Sequence, residues 1–193
     1  INPVAYRSVR VALGKLSKPR LEALFRQLDE DVGTEILSLY SCTNPKGQAC
    51  QVLYFFWVKV IGCPECAKPV DLFSKYVFAK HAYPKKYPEV RVCCPGCGDV
   101  LKSHYAASQV ECPSCELRFD QAVGPAKGGS ATCSACKHTF RIAKTAKEAG
   151  APPQHRLYAK LVLSPDGKKE YLRADDADHS AFAAAARRLR KLA

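Results

Sequence analysis

The chain has 193 residues, among them 30 Lys and Arg, 18 Asp and Glu, and 11 Cys. Its formal net charge of +12 favours a polyanionic partner such as nucleic acid, although a positive surface also serves solubility. No apolar run reaches membrane-spanning length and no signal-peptide pattern opens the chain, which argues against a membrane or secreted protein. We expect a soluble, cytoplasmic protein that keeps its thiols reduced.

Residues 1–40 are predicted to form a helical segment. Pro3 suits a first helical turn, and apolar residues recur at helical spacing between Leu21 and Leu37. The simplest arrangement is two helices with a break near Ser17-Lys18-Pro19. Because the chain begins with Ile1 and contains no methionine, we also expect it to be a piece of a longer translation product.

Residues 41–150 are predicted to form β-hairpins and a double zinc ribbon. Residues 44–47 are a turn signal, and the β-branched and aromatic run 52–61 predicts a strand that leads into the first cysteine pair. Residues 70–80 predict another strand, and two prolines place a loop after it. Residues 90–143 then repeat three times a short apolar strand, a cysteine pair and a following strand, which is typical of zinc-ribbon hairpins.

Four Cys-x-x-Cys pairs, named here knuckles 1 to 4, supply eight thiols at metal-ligand spacing. They are Cys63/Cys66, Cys94/Cys97, Cys112/Cys115 and Cys133/Cys136. Two such pairs complete the tetrahedral shell of Zn²⁺, so we expect two structural zinc ions rather than disulfides or buried free thiols. Four thiolates give each zinc site a net charge of −2, so two sites lower the working charge of the protein to about +8. Cys42, Cys50 and Cys93 lie outside the paired spacing and are expected to be buried or spare thiols.

The spacing leaves two ways of sharing the ions. Neighbouring knuckles can pair, the first with the second and the third with the fourth, or the second and third can form a ribbon inside the first and fourth. The 14 residues between Cys97 and Cys112 favour a compact inner ribbon and therefore the nested form.

Residues 151–193 are predicted to form a final hairpin and a helix. Strands are expected at residues 157–163 and 170–173, around the turn at 165–167, and residues 176–192 read as an Ala- and Arg-rich helix. The predicted fold class is therefore α+β, with N-terminal helices, β-hairpins, tandem or nested zinc ribbons, and a C-terminal hairpin and helix.

We expect no catalytic residue in this chain. A zinc ion held by four thiolates has no open position for water or substrate. The sequence also lacks a phosphate-binding glycine-rich loop, a His-Glu-x-x-His motif and a nucleophile elbow. Scattered histidines are expected to lie on the surface, and they are His81, His104, His138, His155 and His179.

Cations interleaved with aromatic rings between residues 75 and 91 suggest nucleic-acid contact, since cations neutralise phosphates and rings stack on bases. A second basic tract follows knuckle 4. Candidate contacts in these tracts are Lys75, Lys80, Lys85, Lys86, Arg91, Lys137 and Arg141. The alternative is that the rings pack the ribbon and the lysines face water. For the basic residues of the terminal helix, 187–191, a solvated face is expected.

Residues 52–66 and 70–76, together with the opening Ile1-Asn2-Pro3-Val4-Ala5-Tyr6, resemble a segment of large prokaryotic DNA amino-methyltransferases, usually labelled adenine-specific DNA methylases. The resemblance covers most of residues 1–174. It implies an internal segment of a methyltransferase that carries a zinc-ribbon insertion, with DNA and the remainder of the methyltransferase chain as partners. It also implies S-adenosylmethionine as cofactor of the longer parent protein, which would methylate an exocyclic amino group of adenine or cytosine.

The chain departs from that family in two ways. The glycine-rich cofactor loop would lie before Ile1, and no Asp/Asn-Pro-Pro-Tyr motif occurs, so no catalytic residue is transferred and this chain alone is expected to be inactive. Ala67 and Lys137 stand after knuckles 1 and 4, where the family has glycine, so we expect looser turns there. The alternative is a stand-alone zinc-ribbon module that contacts nucleic acid or protein without catalysis, and a truncated gene product without function is a third reading.

Overall fold

The computed structural model describes residues 7, 10, 11, 14 and 17–192. Within them the fold class is α+β, as predicted. The chain divides into two compact units, Ile1–Tyr40 and Ser41–Ala193. The expectations for residues 1–6, including Pro3, lie outside the described residues.

The first unit is helical over its described part. Residues 7, 10 and 11 are helical, α1 spans Lys18–Leu28, a π-helical turn covers Asp29–Gly33, and α2 spans Thr34–Leu39. Ser17 is the extended N-cap residue of α1, and the helix has proline in its first two positions, which suits a first turn with no partner for its N–H groups. A helix therefore begins at Lys18, at the position where a break between two helices was predicted.

The apolar residues of the first unit have helical spacing but are not covered within this unit. Leu24 is 55% exposed, Phe25 61% and Ile36 49%. No described residue in α1, the π-helical turn or α2 is buried. These helices therefore do not obtain their stability from a core of their own, which is the usual source for an amphipathic helix.

The second unit contains four antiparallel sheets. In chain order its strands are β1 (Ser41–Thr43), β2 (Ala49–Gly62), β3 (Pro69–Asp71), β4 (Val77–Lys80), β5 (Glu89–Cys93), β6 (Val100–His104), β7 (Gln109–Glu111), β8 (Arg118–Asp120), β9 (Ala126–Lys127), β10 (Ser130–Thr132), β11 (Thr139–Arg141), β12 (Gln154–Leu163) and β13 (Lys169–Arg173). The largest sheet has the order β1-β2-β12-β13, with β3 paired to β2. The smaller sheets are β11-β10-β9, β4-β5-β6 and β7-β8.

Each knuckle joins two strands of one antiparallel hairpin. The hairpins are β2–β3, β5–β6, β7–β8 and β10–β11. The predicted repeat of strand, knuckle and strand is therefore present after residue 90, and β2–β3 is a further example at knuckle 1. Thus all eight paired cysteines lie at the tips of β-hairpins.

The predicted strand at residues 70–80 is wrong as one element. It is divided into β3 and β4, because the chain leaves β2 after Leu72 and residues 73–76 bond to other segments. The carbonyl of Phe73 accepts the N–H of Ala126 at 3.0 Å, and Tyr76 N–H donates to the Gln121 carbonyl at 2.9 Å. These partners are distant in sequence, so the apolar pattern alone did not reveal the break.

Three of the four hydrophobic clusters among the described residues lie at or between the knuckle hairpins. One contains Ile61 and Phe140 beneath knuckles 1 and 4, and a second contains Val92 and Phe119 beneath knuckles 2 and 3. A third lies between the sheets and is built around Tyr158. Each pair of knuckles therefore has its own small core.

The C-terminal hairpin and helix are confirmed. Strand β12 pairs with both β2 and β13, so it lies inside the largest sheet. The final helix, α4, spans Asp176–Leu192, and its basic residues at 187, 188, 190 and 191 are exposed. A short helix, α3 (Ile142–Glu148), follows β11 and was not predicted. Among the described helices, none has the length and apolar composition that a membrane crossing requires.

Candidate metal centres

The structure gathers the eight knuckle thiols into two groups of four. Group A contains Cys63, Cys66, Cys133 and Cys136, and group B contains Cys94, Cys97, Cys112 and Cys115. Within each group the sulfur atoms all lie within 4.8 Å of one another. The arrangement is therefore nested, with knuckles 2 and 3 forming group B and knuckles 1 and 4 forming group A.

The sulfur spacing fits zinc and not a disulfide. The Sγ–Sγ distance is 3.6 Å between Cys63 and Cys136 and 3.7 Å between Cys66 and Cys133. In group B it is 3.6 Å in two cross-knuckle pairs. A tetrahedral zinc with Zn–S bonds of roughly 2.3 Å places its sulfurs about 3.8 Å apart, whereas a disulfide bond measures about 2.05 Å. Each group could therefore hold one zinc ion.

The four knuckles share one backbone conformation. In each, the first cysteine's carbonyl accepts the N–H of the residue after the second cysteine, at 2.8–2.9 Å. That residue has a positive φ in every knuckle: 58° at Ala67, 77° at Gly98, 59° at Glu116 and 64° at Lys137. The looser turns expected at Ala67 and Lys137 are not found, because both residues adopt the left-handed conformation and keep the hydrogen bond.

Knuckles 2 and 3 also meet through contacts outside the sulfurs. Gly96 N–H donates to Cys94 Sγ at 3.4 Å. A Cβ on Gly96 would lie 2.9 Å from Leu117 Cδ2 and 3.3 Å from Cys115 Sγ, so knuckle 2 packs closely against Cys115 of knuckle 3, and a side chain at Gly96 would displace the Leu117 side chain. The Ser114 hydroxyl donates to Asp99 Oδ2 at 2.5 Å. This hydrogen bond links knuckle 3 to the segment that follows knuckle 2 and was not predicted.

Hydrogen bonds from backbone amides stabilise the thiolate form of one cysteine in each group. The N–H of Cys136 lowers the pKa of Cys133 to about 6. Burial opposes the same effect at Cys112, but the N–H groups of Ser114 and Cys115 outweigh it and lower the pKa to about 7. Donors aimed at sulfur favour its charged form, which is the form that binds a metal.

A cavity of about 380 Å³ lies between the two groups. Its lining includes Cys94 and Cys97 of group B, Ser134 of knuckle 4, and the cations Arg156 and Arg173. Arg156 forms two hydrogen bonds with Asp71. Arg173 Nε lies 3.6 Å from the position that a Cβ on Gly98 would take. The cavity wall next to group B therefore carries two guanidinium groups.

The histidines belong to neither group. All five are exposed, in agreement with the surface positions expected for them. In the described part of the chain, no His joins Cys, Asp or Glu in a further metal-binding group. Both groups therefore consist of thiols alone, and four thiolates leave no coordination position for substrate.

Six of the seven candidate nucleic-acid contacts are exposed. They are Lys75, Lys80, Lys85, Lys86, Lys137 and Arg141. Within the described residues none of the six forms an ion pair. Cations without a carboxylate partner keep their full attraction for phosphate.

Arg91, the seventh candidate, has partners within the second unit. It donates to Glu89 Oε1 at 2.6 Å, and its guanidinium carbon lies 5.3 Å from the centre of the Tyr171 ring. Its side chain is only 16% exposed. Tyr76, from the same tract, is half-buried and packs edge-on against Phe119 at 5.5 Å. The structure thus separates the inward part of this tract from its exposed lysines.

The free cysteines have the burial that their spacing suggested. Cys50 and Cys93 are buried and Cys42 is half-buried. All 11 cysteines are described and none forms a disulfide. Comparisons of the chain with protein-family models, with curated proteins and with solved structures found no match. The two four-cysteine groups and the basic surface near them are therefore the features from which a function is inferred.

Proposed function

We propose that the second unit is a nested double zinc ribbon that holds two structural zinc ions and binds DNA through its basic surface. The observation that carries the proposal is the closure of eight thiols into two four-sulfur groups with tetrahedral spacing. Such sites stabilise small folds and do not activate substrate. Each ribbon has only a small core of its own, so zinc supplies stability that these cores do not provide.

The charge distribution supports DNA as the partner. The formal charge of +12 remains about +8 after two zinc sites of −2 each. Lysines at 80, 85 and 86 are exposed near one loop, and none has an ion-pair partner among the described residues. Contacts of this type bind the phosphate backbone and position a protein on DNA without reading its sequence.

The first unit supports membership of a longer chain. Its helices expose Leu24, Phe25 and Ile36, and an amphipathic helix normally covers such a face. This is consistent with the resemblance to DNA amino-methyltransferases. In that proposal, the remainder of the chain covers the helices and binds S-adenosylmethionine, while the ribbons hold DNA near a base that has been taken out of the helix.

The alternative is a stand-alone module that contacts nucleic acid or protein without catalysis. Both hypotheses include the two zinc sites, but they differ in whether the gene also encodes a methyltransferase. An in-frame glycine-rich loop followed by an acidic residue upstream of Ile1 favours the methyltransferase, whereas a start codon close to Ile1 favours the stand-alone module.

Titration of the zinc-loaded chain with labelled duplex DNA tests the proposal. Metal analysis first establishes two zinc ions per chain. We expect binding that weakens steeply when salt is raised from about 50 to 200 mM, and that is lost when a chelator removes zinc. A Lys85→Gln/Lys86→Gln variant should bind more weakly and depend less on salt. Zinc-loaded protein that binds neither duplex nor single-stranded DNA at low salt contradicts the DNA-binding role.

A further inference from the structure

Three exposed aromatic rings lie on two loops beside the sheet β4-β5-β6. Residues 81–88 connect β4 to β5, and they carry Tyr83 and Tyr87, which are 70% and 47% exposed. Residues 105–108 follow β6 and begin with Tyr105, which is 39% exposed. The Tyr105 N–H donates to the Pro88 carbonyl at 2.8 Å, so the two loops are in direct contact.

The rings of the first loop are held in place. His81 lies 4.2 Å from the Tyr87 ring and 5.9 Å from the Tyr83 ring, measured between ring centres. Its Nδ1 accepts the Tyr83 N–H at 3.0 Å, and the Tyr83 carbonyl accepts the N–H of Tyr87 at 2.9 Å. The loop is therefore organised by its own hydrogen bonds, although its rings remain open to solvent.

The second loop is held by hydrogen bonds from a buried side chain. Buried Gln121 donates from Nε2 to the carbonyls of His104, at 2.8 Å, and Ala107, at 2.6 Å. His104 Nδ1 also accepts the Ala106 N–H at 3.2 Å. Since polar groups of the loop are bonded to the ribbon core, Tyr105 is displayed on a rigid base.

Cations surround these rings. Lys80 ends β4, Lys85 and Lys86 lie in the loop, and Lys86 Nζ is 5.4 Å from the centre of the Tyr87 ring. The nearest carboxylate on the adjoining strand, Glu89, is already paired with Arg91 and Lys102. The loop therefore presents unbalanced positive charge beside exposed aromatic rings.

We infer that the surface formed by Tyr83, Tyr87 and Tyr105 is a stacking platform for unpaired bases of single-stranded nucleic acid. In a duplex the faces of the bases are covered by their neighbours, whereas an unpaired base offers its face to an exposed ring. The lysines beside the rings would follow the backbone phosphates of the same strand. The inference rests on the proposed function and names the class of DNA that this loop recognises.

The test compares a labelled oligothymidylate with a duplex of equal length, using the full zinc-loaded chain. An oligonucleotide of about 12 nucleotides suits the site size of single-strand-binding folds. Stacking on one ring predicts that Tyr83→Ala and Tyr87→Ala each weaken oligothymidylate binding about fivefold or more. Tyr54→Ala is the matched control, since Tyr54 is 58% exposed and lies on β2. Zinc content and circular dichroism verify that each variant is folded.

Tyr83→Phe separates stacking from hydrogen bonding. It keeps the ring and should retain binding, whereas Tyr83→Leu keeps apolar area without a ring and should lose it. Equal losses for Tyr54→Ala and Tyr83→Ala, or no loss for the loop variants, overturn the stacking platform. Duplex binding without oligothymidylate binding overturns it too but leaves the proposed function intact. Absence of binding to both nucleic acids overturns both proposals.

Discussion

Gly124 packs against the backbone of Phe73 at a distance that leaves no room for a side chain. A Cβ on Gly124 would lie 2.1 Å from the Phe73 carbonyl oxygen. The Gly124 N–H donates to the Ser74 carbonyl, and the Ala126 N–H donates to the Phe73 carbonyl, both at 3.0 Å. These bonds hold the segment between knuckles 3 and 4 against the one that joins β3 to β4. The inner and outer ribbons are thereby connected through backbone groups.

We predict that Gly124→Ala lowers the free energy of unfolding by about 1–3 kcal/mol, because the backbone of residues 73–74 must move to admit the methyl group. Urea unfolding of the zinc-loaded protein measures this change. Gly62→Ala is the control, since its Cβ would lie 3.7 Å from the Ala67 carbonyl oxygen, an ordinary contact. A loss at Gly62 as large as that at Gly124 would show that the Phe73 contact is not the cause.

Hairpins and knuckles could be predicted from sequence because their signals are local. The Cys-x-x-Cys spacing and the turns at 44–47 and 165–167 each depend on residues close together in the chain. The break between β3 and β4 could not be predicted, because it depends on Gln121 and Ala126, far along the sequence. Helix α3 was missed because it is only seven residues long and directly continues a strand.

In the metal groups and the loop surface, too, local features could be predicted from sequence and features that depend on packing could not. Spacing identified all eight thiols but left two pairings open, since pairing is decided by how hairpins pack. The tract 75–91 contains side chains that pack inside the second unit as well as side chains that are exposed. Arg91 and Tyr76 pack against the rings of Tyr171 and Phe119, whereas Tyr83 is 70% exposed. Alternation of rings and cations does not separate these roles.

Lys160 anchors the start of α4 to the largest sheet. Its side chain is 1% exposed, and its Nζ lies 2.6 Å from Asp178 Oδ2 and 2.9 Å from Asp175 Oδ2. We predict that Lys160→Met costs about 3–5 kcal/mol, because it leaves the buried Asp178 carboxylate without its cation. Thermal or urea unfolding provides the measurement. The exposed pair of Lys168 and Asp166 is the comparison, and Lys168→Met should cause no measurable change.

The contribution of Lys160 to the stability of the protein should depend on pH in the alkaline range. Burial lowers the pKa of Lys160, but its hydrogen bonds to Asp178 and Asp175 outweigh this and hold the pKa above its usual value. A raised pKa stabilises the fold below the unfolded-state pKa of about 10.4, and the stabilisation is lost as pH rises through the folded-state pKa. The stability difference between wild type and Lys160→Met should therefore shrink above about pH 10.4. A difference that stays constant up to about pH 12 would contradict the ion-pair origin.

The left-handed backbone conformation of Ala67 predicts a substitution that raises the free energy of unfolding, whereas the substitutions above lower it. A non-glycine residue there carries a conformational cost that glycine avoids, partly offset by the larger chain entropy of unfolded glycine. We expect Ala67→Gly to stabilise the zinc-loaded protein by about 0.5–1 kcal/mol. Gly98→Ala is the reverse substitution at the equivalent position of knuckle 2, and it should destabilise the zinc-loaded protein by about 1 kcal/mol. Two changes of the same sign would show that φ at this position does not control knuckle stability.

The nested pairing can be tested by counting zinc ions in double variants. Removing one ligand from each group should abolish both sites, and removing two ligands from one group should abolish one. We therefore predict that Cys63→Ser/Cys94→Ser binds no zinc and that Cys63→Ser/Cys136→Ser retains one ion. Pairing of neighbouring knuckles predicts the reverse, since Cys63 and Cys94 would then share a site. Cys42→Ser, outside both groups, should retain two ions in the same metal analysis by mass spectrometry.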